Sequence, residues 1–335
     1  MTHVSERPLL SFTIPTYNRA NCLDWLLGAL LQQLNGESRV EVIVSDNAST
    51  DNTPAVVEDY KQRGHDIRYL RNETNRGADF NNLQCFEQAR GEYVWIFGDD
   101  DVIVPGGLQE VLGCLESRRY DLLHIHSTGF QGQYQASAAP KLSHKTRVYA
   151  NPQDFALHVG TGITFISGNI IRKAALERLP HDDFRKLLGT DLEHLSWTFA
   201  LLRSNPQCAC LLDNLVAGRQ DNSGGFGFCQ VYGTNLQAIV KEFFGLQSPV
   251  GRAILNRTIQ CWFPETMLLS RRGRYRAYLS EDALLVLRNL YRDNLRYWFF
   301  LHPVLRLPLP LAEVWWLAMR VINRMDRLLG YPISR

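Results

Sequence analysis

Tyr93-Val94-Trp95-Ile96-Phe97 is an unbroken apolar run, and Gly98-Asp99-Asp100-Asp101 follows it directly. The run predicts a buried β-strand, so three adjacent carboxylates stand at a strand end. Like charges this close oppose ionisation unless a cation lies among them. An all-oxygen set suits Mg²⁺ or Mn²⁺, and Mg²⁺ commonly binds through one or two carboxylates together with substrate phosphates. The stretch therefore predicts a divalent cation that holds a diphosphate, with a solvated acidic turn as the alternative.

Upstream of this stretch, short apolar runs alternate with helical patterns. The predicted strands cover residues 9–16, 40–45 and 67–70, and the predicted helices cover 20–34, about 53–60 and 77–89. Strands that alternate with helices imply βαβ units, so the predicted fold class is α/β, with a Rossmann-like, mostly parallel sheet and flanking helices. Ligands of such sheets bind beyond the carboxyl ends of the strands.

Four polar clusters lie at those predicted strand ends. They are Pro15-Thr16-Tyr17-Asn18, Asp46-Asn47, Asn75-Arg76-Gly77 and Asp99-Asp100-Asp101. Because the carboxyl ends of parallel strands meet at one edge of the sheet, we expect the clusters to converge there. Convergence from four separate stretches favours a binding site over four unrelated solvated turns.

The remainder of the chain predicts a continuation of the α/β pattern and then a helical region. Helices are predicted at 106–117, from Lys173 and at 191–203, strands at 120–126 and 164–171, and a polar loop at 131–145. From residue 232 onward the helical pattern dominates. We therefore predict a catalytic domain over 1–230 and a helical C-terminal region over 231–335.

Composition is that of an ordinary globular protein, with 335 residues, 45% of them apolar and 21% charged. Seven scattered cysteines have no metal-ligand spacing, which predicts reduced thiols and a cytoplasmic location. The first eight residues lack a charged-then-apolar leader, so no signal peptide is expected. No apolar run reaches about 18 residues, so no membrane-spanning helix is expected.

Four stretches of this sequence resemble the inverting glycosyltransferases of family 2, which have the nucleotide-sugar-binding GT-A fold. The resemblance is carried by residues 12–19, 41–51, 75–77 and 91–101, in that order and spacing. Two further stretches, Phe165-Ile166-Ser167-Gly168-Asn169 and residues 224–233, look most like the abequosyltransferase-type enzymes of O-antigen assembly. The resemblance implies a bacterial enzyme of surface polysaccharide synthesis, in O-antigen or capsule assembly.

The resemblance also implies a nucleotide-binding set. Thr16 and Tyr17 would border the base and ribose, and Asp46 would accept a hydrogen bond from the base, with a turn role as its alternative. Arg76 would reach a phosphate, unless it is simply an exposed arginine. The full set is Pro15, Thr16, Tyr17, Asn18, Asp46, Asn47, Asn75, Arg76, Gly77 and Asp99.

The metal motif of this family is usually Asp-x-Asp followed by another Asp. Counting back from Pro105, Gly98 occupies the place of the first Asp. Asp100 aligns with the last Asp of the motif and is the predicted ligand of Mg²⁺ or Mn²⁺, with Asp101 as a second ligand. Asp99 would turn toward the ribose or a metal-bound water.

Inverting transfer needs a base outside the metal-binding carboxylates. The family often has Glu-Asp where this chain has Thr190-Asp191, which makes Asp191 the predicted catalytic base. Capping of a helix that begins at Asp191 is the alternative, and the two roles are compatible. The other candidates are Glu193 and Asp182 or Asp183, whereas His194 is expected to be structural or to face the acceptor.

Two segments have interpretations beyond the transfer itself. Residues 223–228 combine glycines with two phenylalanines and predict either a lid or a plain loop. Residues 271–335 hold 12 Arg, no Lys and five acidic residues, and residues 297–320 mix Trp, Leu and Arg. This composition is typical of interfacial helices, which would meet a lipid-linked acceptor at the inner membrane. A helical cap on the catalytic domain or an oligomer contact is the alternative, and nucleic acid is disfavoured because no motif accompanies the arginines.

Two rival functions fit the sequence less well. A sugar-phosphate nucleotidyltransferase would need a Gly-rich, Arg-containing phosphate loop after the first strand, where this chain has Pro15-Thr16-Tyr17-Asn18-Arg19. A nucleotide-sugar-binding protein without catalysis would not need both the Asp triplet and Asp191. The sequence therefore favours a metal-dependent glycosyltransferase that uses a nucleotide diphosphate sugar and a glycan acceptor.

Overall fold

The computed structural model describes residues 7–117, 119–134, 142–179, 184–220, 227–274 and 282–329, with the backbone alone over 324–329. The chain divides into two compact units. The first contains the described residues of Met1–Pro152 and Gly162–Asp221, and the second those of Gln153–Thr161 and Asn222–Arg335. A functional domain boundary at residue 230 stays a proposal.

The first unit is built on one twisted sheet. Its described strands are β1 (Leu10–Thr16), β2 (Val40–Asp46), β3 (Ile67–Arg71), β4 (Tyr93–Ile96), β5 (Val102–Ile103), β6 (Leu122–Phe130), β7 (Thr146–Tyr149), β8 (Asn169–Arg172) and β9 (Cys208–Arg219). Their order is β3-β2-β1-β4-β8-β6-β9-β5, and β7 also pairs with β9. The β3-β2-β1-β4 half is parallel, as predicted, and β8 pairs antiparallel with both β4 and β6.

Helices cover this sheet and seal its core. They are α1 (Ala20–Leu34), α2 (Thr53–Gln62), α3 (Ala78–Gln88), α4 (Gly107–Ser117), α6 (Lys173–Leu176) and α7 (Leu195–Arg203). Helix α5 (Pro152–Val159), which lies between α4 and α6 in the chain, belongs mostly to the second unit. The leucines of α1 recur at helical spacing and bury one face of the helix. On the sheet, Phe12 packs against Trp95 and Phe97 at centroid distances of 5.1 and 4.9 Å. This aromatic cluster fixes β1 beside β4 and so brings their carboxyl ends together.

Two predicted elements had the wrong bounds. In the range 164–171 the chain forms the end of one 3₁₀ turn (Gly160–Thr164), a second 3₁₀ turn (Ile166–Gly168) and only then β8. The Asn169 amide donates to the carbonyls of Ile163 and Phe165 and closes this turn. The predicted helix at 191–203 begins only at Leu195, because Asp191 adopts a left-handed backbone. Asp191 therefore does not cap α7. Strands β7 and β9 were not predicted.

The second unit is helical, as predicted. Its remaining helices are α8 (Leu236–Phe244), α9 (Pro249–Arg257), α10 (Phe263–Arg271), α11 (Ala283–Tyr291), α12 (His302–Arg306) and α13 (Leu309–Leu329). π-helical turns at Cys229–Asn235, Thr258–Trp262 and Tyr297–Leu301 run into α8, α10 and α12. Buried aromatic side chains, including Phe228, Phe263 and Tyr297, form its core.

The described residues contain no helix that is both long and apolar enough to cross a bilayer. All seven cysteines are free thiols, and five of them are buried. The buried thiols pack as small apolar groups, and the absence of disulfides agrees with the predicted reduced state.

Candidate active site

The carboxylate triplet follows β4 at the carboxyl edge of the parallel strands. Asp99 is buried, and its two oxygens accept hydrogen bonds from the Thr16 hydroxyl at 2.7 Å and the Arg19 guanidinium at 2.9 Å. Asp100 lies 3.3 Å from the same guanidinium, and 17% of its side chain is exposed. The structure therefore joins the ends of β1 and β4 through Arg19.

Asp101 has a different environment from Asp100. It is buried, and its oxygens accept hydrogen bonds from the Ser167 hydroxyl at 2.5 Å and the Arg219 backbone N–H at 3.0 Å. Ser167 in turn accepts from the Gly98 N–H at 2.8 Å. These bonds tie the turn after β4 to the segments before β8 and at the end of β9. A metal-ligand role for Asp101 stays a prediction, and internal bonds already engage both of its oxygens.

Burial dominates the electrostatics of the triplet. It raises the pKa of Asp99 to about 6, although Arg19 acts in the opposite direction, and it raises the pKa of Asp101 to about 8, with the Asp100 charge adding to the effect. A divalent cation would relieve this crowding of negative charge. Since Asp100 presents a partly exposed oxygen set beside Asp99, the residues fit a hard cation such as Mg²⁺ or Mn²⁺.

The end of β2 carries a fully buried carboxylate. Asp46 accepts hydrogen bonds from the Ser49 N–H at 2.8 Å and the Tyr69 hydroxyl at 2.5 Å, and the Arg71 guanidinium lies 3.5 Å away. Burial and the Asp46 carboxylate raise the pKa of Tyr69, so this phenol stays protonated and keeps donating. The turn role considered for Asp46 is therefore present, and its predicted contact with the base stays a prediction.

Asn47 gathers the third polar cluster to the end of β2. Its amide donates to the Asn75 side-chain oxygen at 2.8 Å and to the Gly77 carbonyl at 3.1 Å, and its oxygen accepts from the Arg76 N–H at 3.0 Å. Gly77 has a φ of 86°, which a residue with a Cβ rarely adopts. The exposed Arg76 guanidinium stacks on the Phe80 ring with its central carbon 3.1 Å from the ring centroid. The predicted convergence of Asp46-Asn47 with Asn75-Arg76-Gly77 is therefore observed.

The loop after β1 is held to the loop after β2. Asn18 has a φ of 52°, accepts a hydrogen bond from the Thr50 N–H at 2.7 Å and donates its own N–H to the Ser49 hydroxyl at 2.9 Å. Pro15 pairs in register with Ser45 on β2. Tyr17 is 41% exposed, so its ring is available to a ligand.

The predicted base lies in an exposed turn before α7. Asp191 has a φ of 58°, and burial of part of the carboxyl, together with the charge of Asp79, raises its pKa. Glu193 is fully buried, no described residue hydrogen-bonds its carboxyl oxygens, and burial raises its pKa to about 10. A carboxyl that stays protonated and buried cannot take a proton from a substrate, so the geometry favours Asp191 over Glu193. Asp182, Asp183 and the predicted lid residues 223–226 lie outside the described residues.

His194 has a structural role in this turn. Its Nε2 donates to the Thr164 carbonyl at 2.9 Å, which requires the tautomer with a proton on Nε2. Burial lowers the pKa of His194 to about 4, so the ring stays neutral at physiological pH. This agrees with the structural alternative given for His194.

Sequence reasoning missed several residues that hold the site together. Arg19 pairs with two members of the triplet, and Ser167 bonds a third. Asn81 of α3 donates to the Ser45 carbonyl at 2.8 Å and accepts from the Ser45 hydroxyl at 2.7 Å. Arg19 adjoins the cluster after β1 and could have been included on that ground. The partners of Ser167 and Asn81 are distant in sequence and carry no local signal.

Known proteins share part of this sequence and the fold of the chain. Abequosyltransferase RfbV of Salmonella typhimurium is 39% identical over 111 residues, which are 33% of this chain and 33% of that protein, so the match spans about a third of the curated relative. Staphylococcus aureus TarS 1–349 in complex with UDP-GlcNAc superposes with a TM-score of 0.57 at 18% identity, over 96% of this chain and 92% of that one. The mannosyltransferase PcManGT from Pyrobaculum calidifontis, in complex with GDP-Man and Mn²⁺, gives a TM-score of 0.52 at 17% identity, over 96% and 88% of the two chains.

These likenesses confirm the predicted α/β fold of the GT-A type with a helical C-terminal region. The predicted resemblance to an abequosyltransferase is also confirmed. Residues 11–180, just over half of the chain, match the family model described as "Glycosyl transferase family 2". The chain therefore belongs to glycosyl transferase family 2.

Proposed function

We propose that the chain is an inverting glycosyltransferase that moves a sugar from a nucleotide diphosphate sugar to a hydroxyl of a glycan acceptor. The observation that carries the proposal is the partly exposed Asp100 beside Arg19 at the carboxyl edge of β1 and β4. Membership of glycosyl transferase family 2 supports it and argues against a nucleotidyltransferase. The structures with UDP-GlcNAc and with GDP-Man and Mn²⁺ bound support a nucleotide-sugar donor.

Asp100 would hold a Mg²⁺ or Mn²⁺ ion, with Asp99 beside it turned toward the ribose or a metal-bound water. When bound, such an ion neutralises charge on the departing diphosphate. Arg19 already places a cation on the same two carboxylates, and Thr16 holds Asp99 at the end of β1. Asp101 would stabilise the turn that follows β4, because its oxygens accept hydrogen bonds from Ser167 and the Arg219 backbone.

The nucleotide would lie across the ends of β1, β2 and α3. The exposed Tyr17 ring would contact the base or ribose, and the exposed Arg76 would reach a phosphate. Asp46 and Asn47 would shape this pocket, because their bonds fix the loops that carry Tyr17 and Arg76. Asn18, Asn75 and Gly77 would serve the same purpose.

Asp191 would take the proton of the acceptor hydroxyl as it attacks the sugar from the face opposite the diphosphate. Asp191 is an exposed residue with a partly buried carboxyl, and this partial burial raises its pKa toward the range in which a carboxylate is a better base. A positioned general base typically contributes about 10²–10⁴-fold to the rate. The acceptor oxygen forms the new bond to the sugar, its proton passes to the Asp191 carboxylate, and the nucleoside diphosphate leaves with the electron pair of the broken bond.

The acceptor would be a lipid-linked glycan of O-antigen or capsule synthesis, met at the cytoplasmic face of the inner membrane. Helix α13 buries Ala312, Trp316, Met319 and Asn323 on one side. Its other side exposes an apolar stripe, in which Val314 is 67% and Leu317 is 62% accessible. Exposed arginines on α11, α12 and α13 complement anionic lipid headgroups.

Vesicle flotation tests the membrane contact. We expect the protein to float with vesicles of phosphatidylglycerol and phosphatidylethanolamine, and a Val314→Gln, Leu317→Gln variant to bind about 10²-fold more weakly, since two apolar side chains no longer enter the bilayer surface. Val148→Gln, at an exposed valine of the first unit, is the matched control and should float like the parent. A protein that does not float but runs as a dimer would assign the stripe to an oligomer contact.

A nucleotide screen tests the proposed function. We expect one of UDP, GDP, CDP and dTDP to raise the melting temperature by about 5 °C at saturating concentration, and only with Mn²⁺ or Mg²⁺ present. The corresponding nucleotide sugars should then show metal-dependent transfer or slow hydrolysis. Stabilisation without any turnover would indicate a nucleotide-sugar-binding protein, and no stabilisation by any nucleotide would exclude the proposed donor class.

A further inference from the structure

Asp79, in the first turn of α3, lies against the backbone of the segment Gly189–Glu193. One of its oxygens accepts the N–H groups of Gly189, Thr190 and Asp191 at 2.7, 2.9 and 3.0 Å. The other oxygen lies 3.4 Å from the Glu193 nitrogen, in a longer hydrogen bond. Asp79 is only 6% exposed. The buried carboxylate therefore bonds one short backbone segment that is distant in the sequence.

This arrangement explains the unusual backbone of Asp191. A φ of 58° is unfavourable for a residue with a Cβ, and α7 begins only four residues later. The three N–H groups that converge on Asp79 hold the chain in that conformation, since each would lose its acceptor if the turn relaxed. The turn leaves the Asp191 carboxyl exposed at the surface while its backbone is anchored below.

Helix α3 also holds the strand ends. Asn81, two residues after Asp79, donates to the Ser45 carbonyl at 2.8 Å and weakly to the Thr16 carbonyl at 3.5 Å. One turn of helix therefore bonds both the edge where the donor nucleotide is proposed to lie and the segment that carries Asp191. Sites on such rigid elements keep their geometry more closely than sites on loops alone.

We propose that Asp79 is the positioning residue of the general base: it fixes the Asp191 turn relative to the ends of β1 and β2 and places a negative charge beside the Asp191 carboxyl. This inference rests on the proposed function, because it assigns Asp79 a role only if Asp191 takes the acceptor proton. In this role Asp79 acts through the backbone of the Asp191 turn.

The charge makes a second contribution, separate from the hydrogen bonds. Burial and the Asp79 charge raise the pKa of Asp191. Burial also raises the pKa of Asp79 itself, whereas the four backbone N–H groups that it accepts favour its charged form. Among the described residues, Glu87 on α3, which pairs with Arg185, and Glu193 and His194 beside Asp191 are also ionisable. Burial holds Glu193 neutral, so it contributes no charge near neutral pH. Removing the Asp79 charge should therefore lower the pKa of Asp191 and move the acidic limb of the rate profile to lower pH.

The experiment compares Asp79→Asn and Asp79→Glu with the parent, using the nucleotide sugar identified in the screen. We expect Asp79→Asn to reduce kcat by about 10²-fold, because Asp191 is then no longer held in position to take the acceptor proton. The KM for the donor should not change. The acidic limb of the pH profile of kcat should move to lower pH. Asp79→Glu retains the charge but not the bond lengths, so kcat should fall while the limb stays in place. Asp213→Asn, which alters another carboxylate that accepts backbone N–H groups, from Ser143 and His144, is the matched control and should retain activity.

A parent kcat and pH profile in a folded Asp79→Asn variant would overturn the proposal. Loss of donor binding along with kcat would assign Asp79 a purely structural role and overturn it as well. Hydrogen exchange on the parent protein gives a test that needs no variant: the Gly189 and Asp191 amides should be protected although they lie in a turn, and rapid exchange would contradict the geometry. Full activity of Asp191→Asn would instead refute the proposed base, whatever the Asp79 variants do.

Discussion

Asp100→Ala is expected to lower metal-dependent turnover by about 10²–10⁴-fold, which corresponds to several kcal/mol of lost charge stabilisation on the leaving diphosphate. The reason is geometric: Asp100 pairs with Arg19 and is the most exposed member of the triplet, whereas Asp99 and Asp101 are buried and accept hydrogen bonds from Thr16, Arg19, Ser167 and the Arg219 backbone. The stabilisation that Mn²⁺ adds to nucleotide binding should disappear with it. Steady-state kinetics and melting curves with and without Mn²⁺ measure both effects.

Two further variants, a control and a test of Asp101 as the ligand, are needed to interpret this result. Asp66→Ala removes an exposed carboxylate away from the triplet and should leave turnover and metal response unchanged. Asp101→Asn should lower the melting temperature more than it changes the metal dependence, since it disturbs the acceptor of Ser167 and the Arg219 N–H. If Asp100→Ala kept full metal-dependent turnover while Asp101→Asn lost it, the metal would belong to Asp101.

The parallel half of the sheet could be predicted because its signals are local. Strand β4 is an uninterrupted apolar run, which indicates a strand buried on both faces of the sheet. Helix α1 repeats leucine at helical spacing, which indicates burial of one helix face. Both patterns can be recognised from a few consecutive residues. Convergence of the polar clusters then follows from topology, since parallel strands end at one edge. The bonds from Asn47 to the segment 75–77 confirm that convergence.

The other half of the sheet could not be predicted in this way. Strand β9 interrupts its apolar pattern with Asp213-Asn214, where its register with β6 shifts, so period-two reasoning loses it. The turn before β8 depends on the Asn169 amide, which closes a 3₁₀ turn where the apolar pattern suggested a strand. Similarly, Asp46 and Asp101 have partners far along the chain, and only a folded structure reveals that their oxygens are already engaged.

Asp191→Asn is the second change with a large expected effect. It should reduce kcat by about 10²–10⁴-fold, because asparagine cannot accept the acceptor proton, while nucleotide binding and its metal dependence stay as in the parent. The amide preserves shape, and the Asp191 N–H that bonds Asp79 is retained, so the turn should hold. Transfer assays at saturating donor measure kcat, and nucleotide melting curves measure binding.

Glu193→Gln is the matched control for that result, two residues along the same segment. The Glu193 carboxyl is fully buried with its pKa raised to about 10, so it is already neutral near physiological pH and an amide of the same size removes no charge. We expect activity within about threefold of the parent, because a neutral isostere at a buried position changes transition-state binding by less than about 1 kcal/mol. Loss of activity in Glu193→Gln with full activity in Asp191→Asn would exchange the two roles. It would also require the buried segment to open during turnover, since only an exposed Glu193 could ionise and reach an acceptor hydroxyl.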